Sequence, residues 1–206
     1  MVSSIGPQYE PDDHFKAAAR FHQSAYRANV LKVGFDKYGN RLTEAAGRAL
    51  LNYYDGLGVR EALRQRYPTY SKSRDADMLR SEHIPFNLFA PLISRPELTN
   101  HLLYRILGVE LFPPYRIEPE WAPKPADRYL GDRTSFDTYI KGTDDRGQVV
   151  GVGIEVKYTE QGYRLGSSEA LRVRNPGSTY WTTTRQSGVF TNGECKLLAS
   201  NNLRQI

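Results

Sequence analysis

The sequence predicts a mixed α/β (α+β) protein in which a helix-rich first half leads into a small sheet. Three observations carry this. Apolar residues recur at three-to-four spacing through roughly the first hundred positions. After Gly108 the chain turns rich in Pro, Gly, Tyr and Thr. A valine-rich run over 148–158 then follows the turn-forming stretch 142–147, which reads as an antiparallel hairpin. At 206 residues the chain is long enough for one substantial core. We divide it into a helical N-terminal region, 1–74, packed on a core over 75–206.

Taken in order, Asp12 and Asp13 can serve the start of a first helix, with Phe15, Ala18, Ala19, His22, Ala25 and Tyr26 as its apolar stripe. A second helix is expected from Thr43 and Glu44 through Ala49, Leu50 and Tyr53 to the stops at Gly56 and Gly58. A short helical piece runs from Arg60 to Tyr67 and ends at Pro68. Residues 75–90 are amphipathic again, with Pro85 expected to kink the helix or begin a new turn. Pro96 to Leu107 reads as a helix with Gly108 just past its end. A strand is expected around Tyr115–Ile117, then a loop over 121–133, then strands over 135–141 and 148–158. The stretch 161–178 reads as a polar surface loop, Tyr180–Thr184 as strand-like, and Gly193–Leu203 as a last helix.

The 28 Lys and Arg exceed the 23 Asp and Glu, giving a net charge of +5 that steers polyanions toward the chain and permits a DNA partner. A single cysteine, Cys195, excludes an internal disulfide framework and a multi-cysteine zinc site, and fits a reducing cytoplasm. His14, His22, His83 and His101 have no metal-ligand spacing. No apolar run is long enough to span a bilayer, and residues 1–13 lack the basic and apolar regions of a secretory signal, so no membrane partner is expected and the cytoplasm is the expected location. No Gly-Xaa-Ser-Xaa-Gly elbow and no phosphate-cradling glycine loop is present.

The chemistry concentrates on the hairpin. Side chains alternate along a strand, so Glu155 and Lys157 share one face while Ile154, Val156 and Tyr158 take the other. The neighbouring strand supplies Asp137, and pairing across the turn would set its carboxylate beside Glu155. Hard divalent ions such as Mg2+, or Mn2+ in its place, are gripped by one or two carboxylates plus substrate phosphates. Asp137 and Glu155 meet that need, and the Val156 backbone carbonyl adds a further oxygen. Lys157 can orient or help deprotonate the attacking water and offset phosphate charge, so phosphodiester hydrolysis is the expected reaction. A plain surface ion pair between Glu155 and Lys157 is the competing account of the same residues. A valine-rich strand ahead of them argues against it, because charges at the end of a buried strand need a reason.

These residues resemble the PD-(D/E)XK nuclease superfamily, through Asp137 followed by Glu155-Val156-Lys157. Ser81-Glu82-His83 with Phe86-Asn87-Leu88-Phe89-Ala90-Pro91-Leu92, then 133–137 and 153–160, is similar to a branch of bacterial proteins of restriction-endonuclease type. The resemblance implies a restriction-endonuclease-like core with a central mixed sheet flanked by helices. It also implies Asp137 and Glu155 as metal ligands, Lys157 as the catalytic lysine and Glu82 as an additional acid reaching the site from a helix. Glu82 is equally a surface glutamate beside Arg80. The family's usual proline before the first aspartate is Phe136 here. Cys195-Lys196-Leu197-Leu198 resembles the second core helix, where some relatives carry a lysine or glutamine near the metal, which makes Lys196 a candidate; a solvated lysine is the alternative. No final strand is evident after Leu203.

Arg164, Arg172, Arg174 and Arg185, interleaved with Tyr163, Tyr180 and Trp181, are either DNA-binding or simply solvated loop residues. The expected function is a Mg2+-dependent endonuclease acting on DNA in restriction, defence or mobile-element biology, and a homodimer is the usual way to cut both strands. The alternative is a catalytically silent nuclease-like DNA-binding or assembly module.

Overall fold

The computed structural model describes residues 4–131, 134–160 and 166–188. They fall into two compact units, Met1–Trp121 with Phe136–Thr159, and Ala122–Ser135 with Glu160–Ile206. Within the described part of the first unit, helices accompany a three-stranded sheet, an α+β arrangement of restriction-endonuclease-like kind.

The first helix, α1 (His14–Tyr26), starts where Asp13 accepts a hydrogen bond from the Lys16 N–H at 2.9 Å. Its buried face differs from the expected apolar stripe. Phe15 and Phe21 are more than half exposed, while Arg20 and Ser24 are buried. Arg20 donates to Asp12 and Asn40, each at 2.5 Å. Arg27, in the π-helical turn Arg27–Leu31 that follows, donates to the Gly39 and Ile5 carbonyls. The helix therefore docks through satisfied polar groups, the condition under which buried charge is tolerated. Two short strands, β1 (Phe35–Asp36) and β2 (Tyr38–Leu42), pair antiparallel beside it.

The second helix is shorter than expected. α2 (Glu44–Arg48) is capped by Thr43 and gives way at Leu50, whose φ of +56° no α-helix accommodates. That break turns Leu50 and Tyr53 into a core with Val59 and Leu63 of α3 (Val59–Arg66) and with Phe86. The expected 75–90 helix is likewise divided, into α4 (Lys72–Ala76) and α5 (His83–Phe89), with a bridge between Arg41 and Asp77 in the gap. Pro85 lies in the first turn of α5, where its missing N–H costs nothing. α6 (Pro91–Ser94) and α7 (Glu97–Leu107) follow, the latter closed by Gly108 in the left-handed region.

The sheet runs β3 (Phe112–Trp121), β4 (Phe136–Thr143) and β5 (Val149–Ile154), antiparallel in that spatial order. Asp144 and Gly147, the latter at φ +75°, close the β4–β5 hairpin. One face of the sheet is buried: Ile140 packs with Phe89, Leu92, Leu103 and Leu111, and Val150, Val152, Ile154 and Val156 join them. α5 binds both cores, with Phe86 in the helical cluster and Phe89 in the sheet cluster.

In the second unit two expectations are corrected. The stretch read as a loop contains α8 (Ser167–Arg174), and the strand-like Tyr180–Thr184 lies inside α9 (Thr179–Ser187). The Thr182 and Thr184 hydroxyls donate to the carbonyls four residues back, which settles β-preferring threonines in a helix. Trp181 Nε1 donates to the Val173 carbonyl at 2.7 Å and ties the two helices together. Residues 189–206 lie outside the described residues, so the expected helix over Gly193–Leu203 does too. Among the described residues no helix is long and apolar enough to cross a membrane.

Candidate active site

The β4–β5 register sets the site. Thr138 faces Ile154 and Tyr139 faces Gly153, so the next pair outward is Asp137 and Glu155. Regular pairing stops at Ile154, earlier than the expected end of the strand, yet the alternation persists beyond it. Glu155 and Lys157 are exposed while Val156 still packs on the sheet core. The ladder stops because Asp137 Oδ2 accepts the Val156 N–H at 2.6 Å, so a side chain closes the hairpin where a carbonyl otherwise would.

Burial pushes the Asp137 carboxyl up to about 6, and the charges of Glu155 and Glu120 add to that, against the Val156 hydrogen bond and Lys157. Lys157 Nζ reaches Glu155 Oε1 at 2.5 Å with both side chains partly open to water. The two carboxylates are thus neighbours with unfavourable mutual charge, and their donor atoms are the hard oxygens that Mg2+ and Mn2+ take. Among the described residues no three His, Cys, Asp or Glu side chains are grouped to hold a metal ion. Any cation at Asp137 and Glu155 would therefore take most of its ligands from water, backbone or other molecules.

Glu82 stands at the start of α5 and pairs with Arg80, whose Nε donates to Glu82 Oε2 at 2.6 Å. Thr159 Oγ1 donates to the Leu79 carbonyl at 3.4 Å, which ties the segment after Lys157 to the turn leading into α5. The basic residues separate. Arg172 and Arg174 are exposed in the last turn of α8, and the Arg185 guanidinium of α9 lies 5.5 Å from the Trp181 ring centre; all three are helical instead of loop residues. Arg164 and Lys196 lie outside the described residues.

Two features escaped the sequence reading. Glu120, opposite Asp137 on β3, is buried and raises the Asp137 carboxyl through its charge; it also hydrogen-bonds Tyr67, whose hydroxyl burial and Glu120 push up to about 12. The alternation Arg116, Glu118, Glu120 was a signal for it, but the expected strand stopped at Ile117. Glu120 also takes φ +55°, and after it Trp121 stacks at 4.3 Å on Tyr139, a residue of the outward face. Phe136 lies nearly parallel to Trp121 at 6.1 Å. Gly153 makes room for this stack, since a Cβ there would come within 2.7 Å of the Phe136 ring. The open face of the sheet therefore carries carboxylates at its end, an aromatic stack beside them, and the exposed cations Arg116 and Lys141 further along.

No curated protein and no solved structure matches the chain. The family model described as the PD-(D/E)XK nuclease superfamily matches residues 10–206, nearly the whole length. The acidic pair at the end of a hairpin, the lysine two residues on, and a match of that extent agree: the chain belongs to the PD-(D/E)XK nuclease superfamily.

Proposed function

We propose that the protein is a metal-dependent endonuclease that hydrolyses DNA phosphodiester bonds, with Mg2+ as its ion and Mn2+ as a substitute. The observation that carries this is the Asp137–Glu155 pair: two adjacent carboxylates, one of them raised by burial and by the other's charge, with Lys157 beside them. Asp137, Glu155 and the Val156 carbonyl would hold the ion. When bound, it supplies charge neutralisation at the phosphate and an acidified water.

The chain's own residues do the rest. Asp137, held by the Val156 N–H through one carboxylate oxygen, keeps the other as a possible ligand. Lys157 sits close enough to Glu155 to trade that partner for a phosphate oxygen or to orient the attacking water. Glu82 can add negative charge from the start of α5, and Lys196, in a sequence segment that resembles the family's second core helix, belongs to the same proposed set. DNA as substrate is supported by the net charge of +5, by Arg116 and Lys141 on the open sheet face, and by the exposed Arg172, Arg174 and Arg185; Arg164 belongs to the same proposed set. A cytoplasmic homodimer in restriction, defence or mobile-element biology suits such an enzyme.

A second reading, a catalytically silent nuclease-like DNA-binding or assembly module, draws on the self-contained pairing of Lys157 with Glu155. Incubation with plasmid DNA and Mg2+ or Mn2+ separates the two. Cleavage by the wild type that Asp137→Ala and Lys157→Ala abolish supports the nuclease. Equal cleavage by all three overturns the residue assignment, and retention of DNA binding with no cleavage by any of them favours the silent module.

A further inference from the structure

The outward face of the sheet is ordered in rows. Pairing aligns Arg116 with Lys141 and Gly151, then Glu118 with Tyr139 and Gly153, and the next row outward is Glu120 with Asp137 and Glu155. Two residues separate successive rows, about 6.6 Å along the strands. Cations, a ring and acids therefore follow one another toward the proposed metal site.

The middle row carries more rings than alternation would give it. Trp121 and Phe136 have the strand parity of Ile117 and Ile140, which pack in the core. Both nonetheless lie against the outward Tyr139, Trp121 at 4.3 Å with 19° between the planes and Phe136 at 6.4 Å with 21°. Two features accompany this placement. Glu120 takes the left-handed φ of +55°, unusual for a residue with a side chain, and Gly153 leaves open the space that a Cβ would close at 2.7 Å from the Phe136 ring. Backbone held in that region clusters at functional sites. The three near-parallel rings present a flat aromatic surface, with Phe136 39 % exposed and Trp121 and Tyr139 part-buried.

A flat aromatic surface suits the face of a base. Duplex DNA keeps those faces stacked and turns base edges and phosphates outward, whereas an unpaired nucleotide offers the face itself. Across β5 the neighbours of the rings are Gly151 and Gly153, which bring no group to read a base edge. One row away the exposed Lys141, with Arg116 held beside it by Glu118, supplies positive charge for a phosphate backbone. We propose that the Trp121, Phe136 and Tyr139 rings are a stacking platform for unpaired bases, which selects single-stranded or locally opened DNA. Delivery of that strand to the acidic row rests on the nuclease reading above; base stacking itself does not.

The test uses the full chain in chelator, with fluorescence anisotropy of two labelled probes of equal length, an oligothymidylate and a duplex. The wild type should hold the single strand at least about tenfold more tightly. Phe136→Leu keeps an apolar side chain and removes the ring. It should weaken the single strand by about fivefold or more, the lower end of what one stacked base contributes, and leave the duplex unchanged. Phe136→Tyr, which keeps the ring, should bind as the wild type does, and Lys141→Ala should weaken both probes alike. Trp181→Phe leaves Trp121 as the one tryptophan, whose emission the single strand should quench. No preference for the single strand, unchanged single-strand binding in Phe136→Leu, or no quenching overturns the platform and leaves the rings structural. A single-strand preference with these dependences, and no cleavage of either probe once Mg2+ or Mn2+ is added, overturns the nuclease reading alone.

Discussion

Asp137→Asn should make the metal-free protein more stable at neutral pH. In the fold the Asp137 carboxyl is pushed from 3.8 up to about 6, so its ionised form is disfavoured relative to the unfolded chain. The sign follows from linkage. Well above pH 6 the group is charged in both states and the fold bears the full cost; well below 3.8 it is protonated in both and the cost vanishes. Two pKa units at 1.36 kcal/mol each set a ceiling of about 3 kcal/mol, and the part-exposed carboxylate discounts this to roughly 1–2 kcal/mol. Asparagine removes the charge and keeps an oxygen for the Val156 N–H. For a chain of this size the gain corresponds to a melting temperature raised by roughly 2–8 °C. Thermal unfolding in chelator at pH 8 and pH 4 measures it: the variant should gain at pH 8 and lose most of that gain at pH 4. An unchanged or lowered melting temperature at pH 8, or the same gain at both pH values, refutes the electrostatic account of the site.

Further outcomes follow from the same geometry. Lys157→Ala should lower the DNA cleavage rate by at least about a hundredfold while leaving a Mg2+-dependent rise in melting temperature intact, because the lysine is no ligand; loss of that rise would make Lys157 structural. Gly153→Ala should cost roughly 1–3 kcal/mol and alter near-ultraviolet circular dichroism, since the added carbon meets the Phe136 ring at 2.7 Å. Phe86→Ala, at a fully buried side chain, should cost about 3–5 kcal/mol in denaturant unfolding. Glu82→Gln should change stability by under about 1 kcal/mol, as its partner Arg80 is half exposed; a large loss of cleavage in that variant would place it in the reaction.

The sheet side of the molecule was legible because its signals are short-range: a valine-rich run, a Gly-rich turn and period-two alternation set both β4 and β5 and the face on which Glu155 and Lys157 stand. The α1 face was not, because Arg20 and Arg27 are buried through partners at Asp12, Asn40 and Gly39, and a periodicity argument counts arginine as solvent-facing. α2 was overextended because the left-handed φ at Leu50 is imposed by the core it joins and leaves no mark in the residue type. α9 was mistaken for a strand because its threonines favour strands by propensity, and only the Trp181 contact with Val173 and the hydroxyl-to-carbonyl bonds overrule that.

The hairpin end explains why stability and the proposed chemistry meet at Asp137. A strand that ended by an ordinary ladder bond would satisfy Val156 with a carbonyl and leave Asp137 free to turn into water. Here Asp137 supplies the acceptor itself, so its carboxylate is held part-buried, close to Glu155 and across from Glu120. The same bond that closes the sheet thereby concentrates negative charge at its edge. Among the described residues the Lys157 ammonium is shared with Glu155, and Glu120 is engaged by Tyr67. If Asp137 holds a divalent cation as proposed, that cation and a proton exclude each other on its carboxylate. Cation affinity should accordingly fall as the pH drops through about 6, and a Mg2+-induced rise in melting temperature that is as large at pH 5 as at pH 8 would show that Asp137 is not where the cation binds.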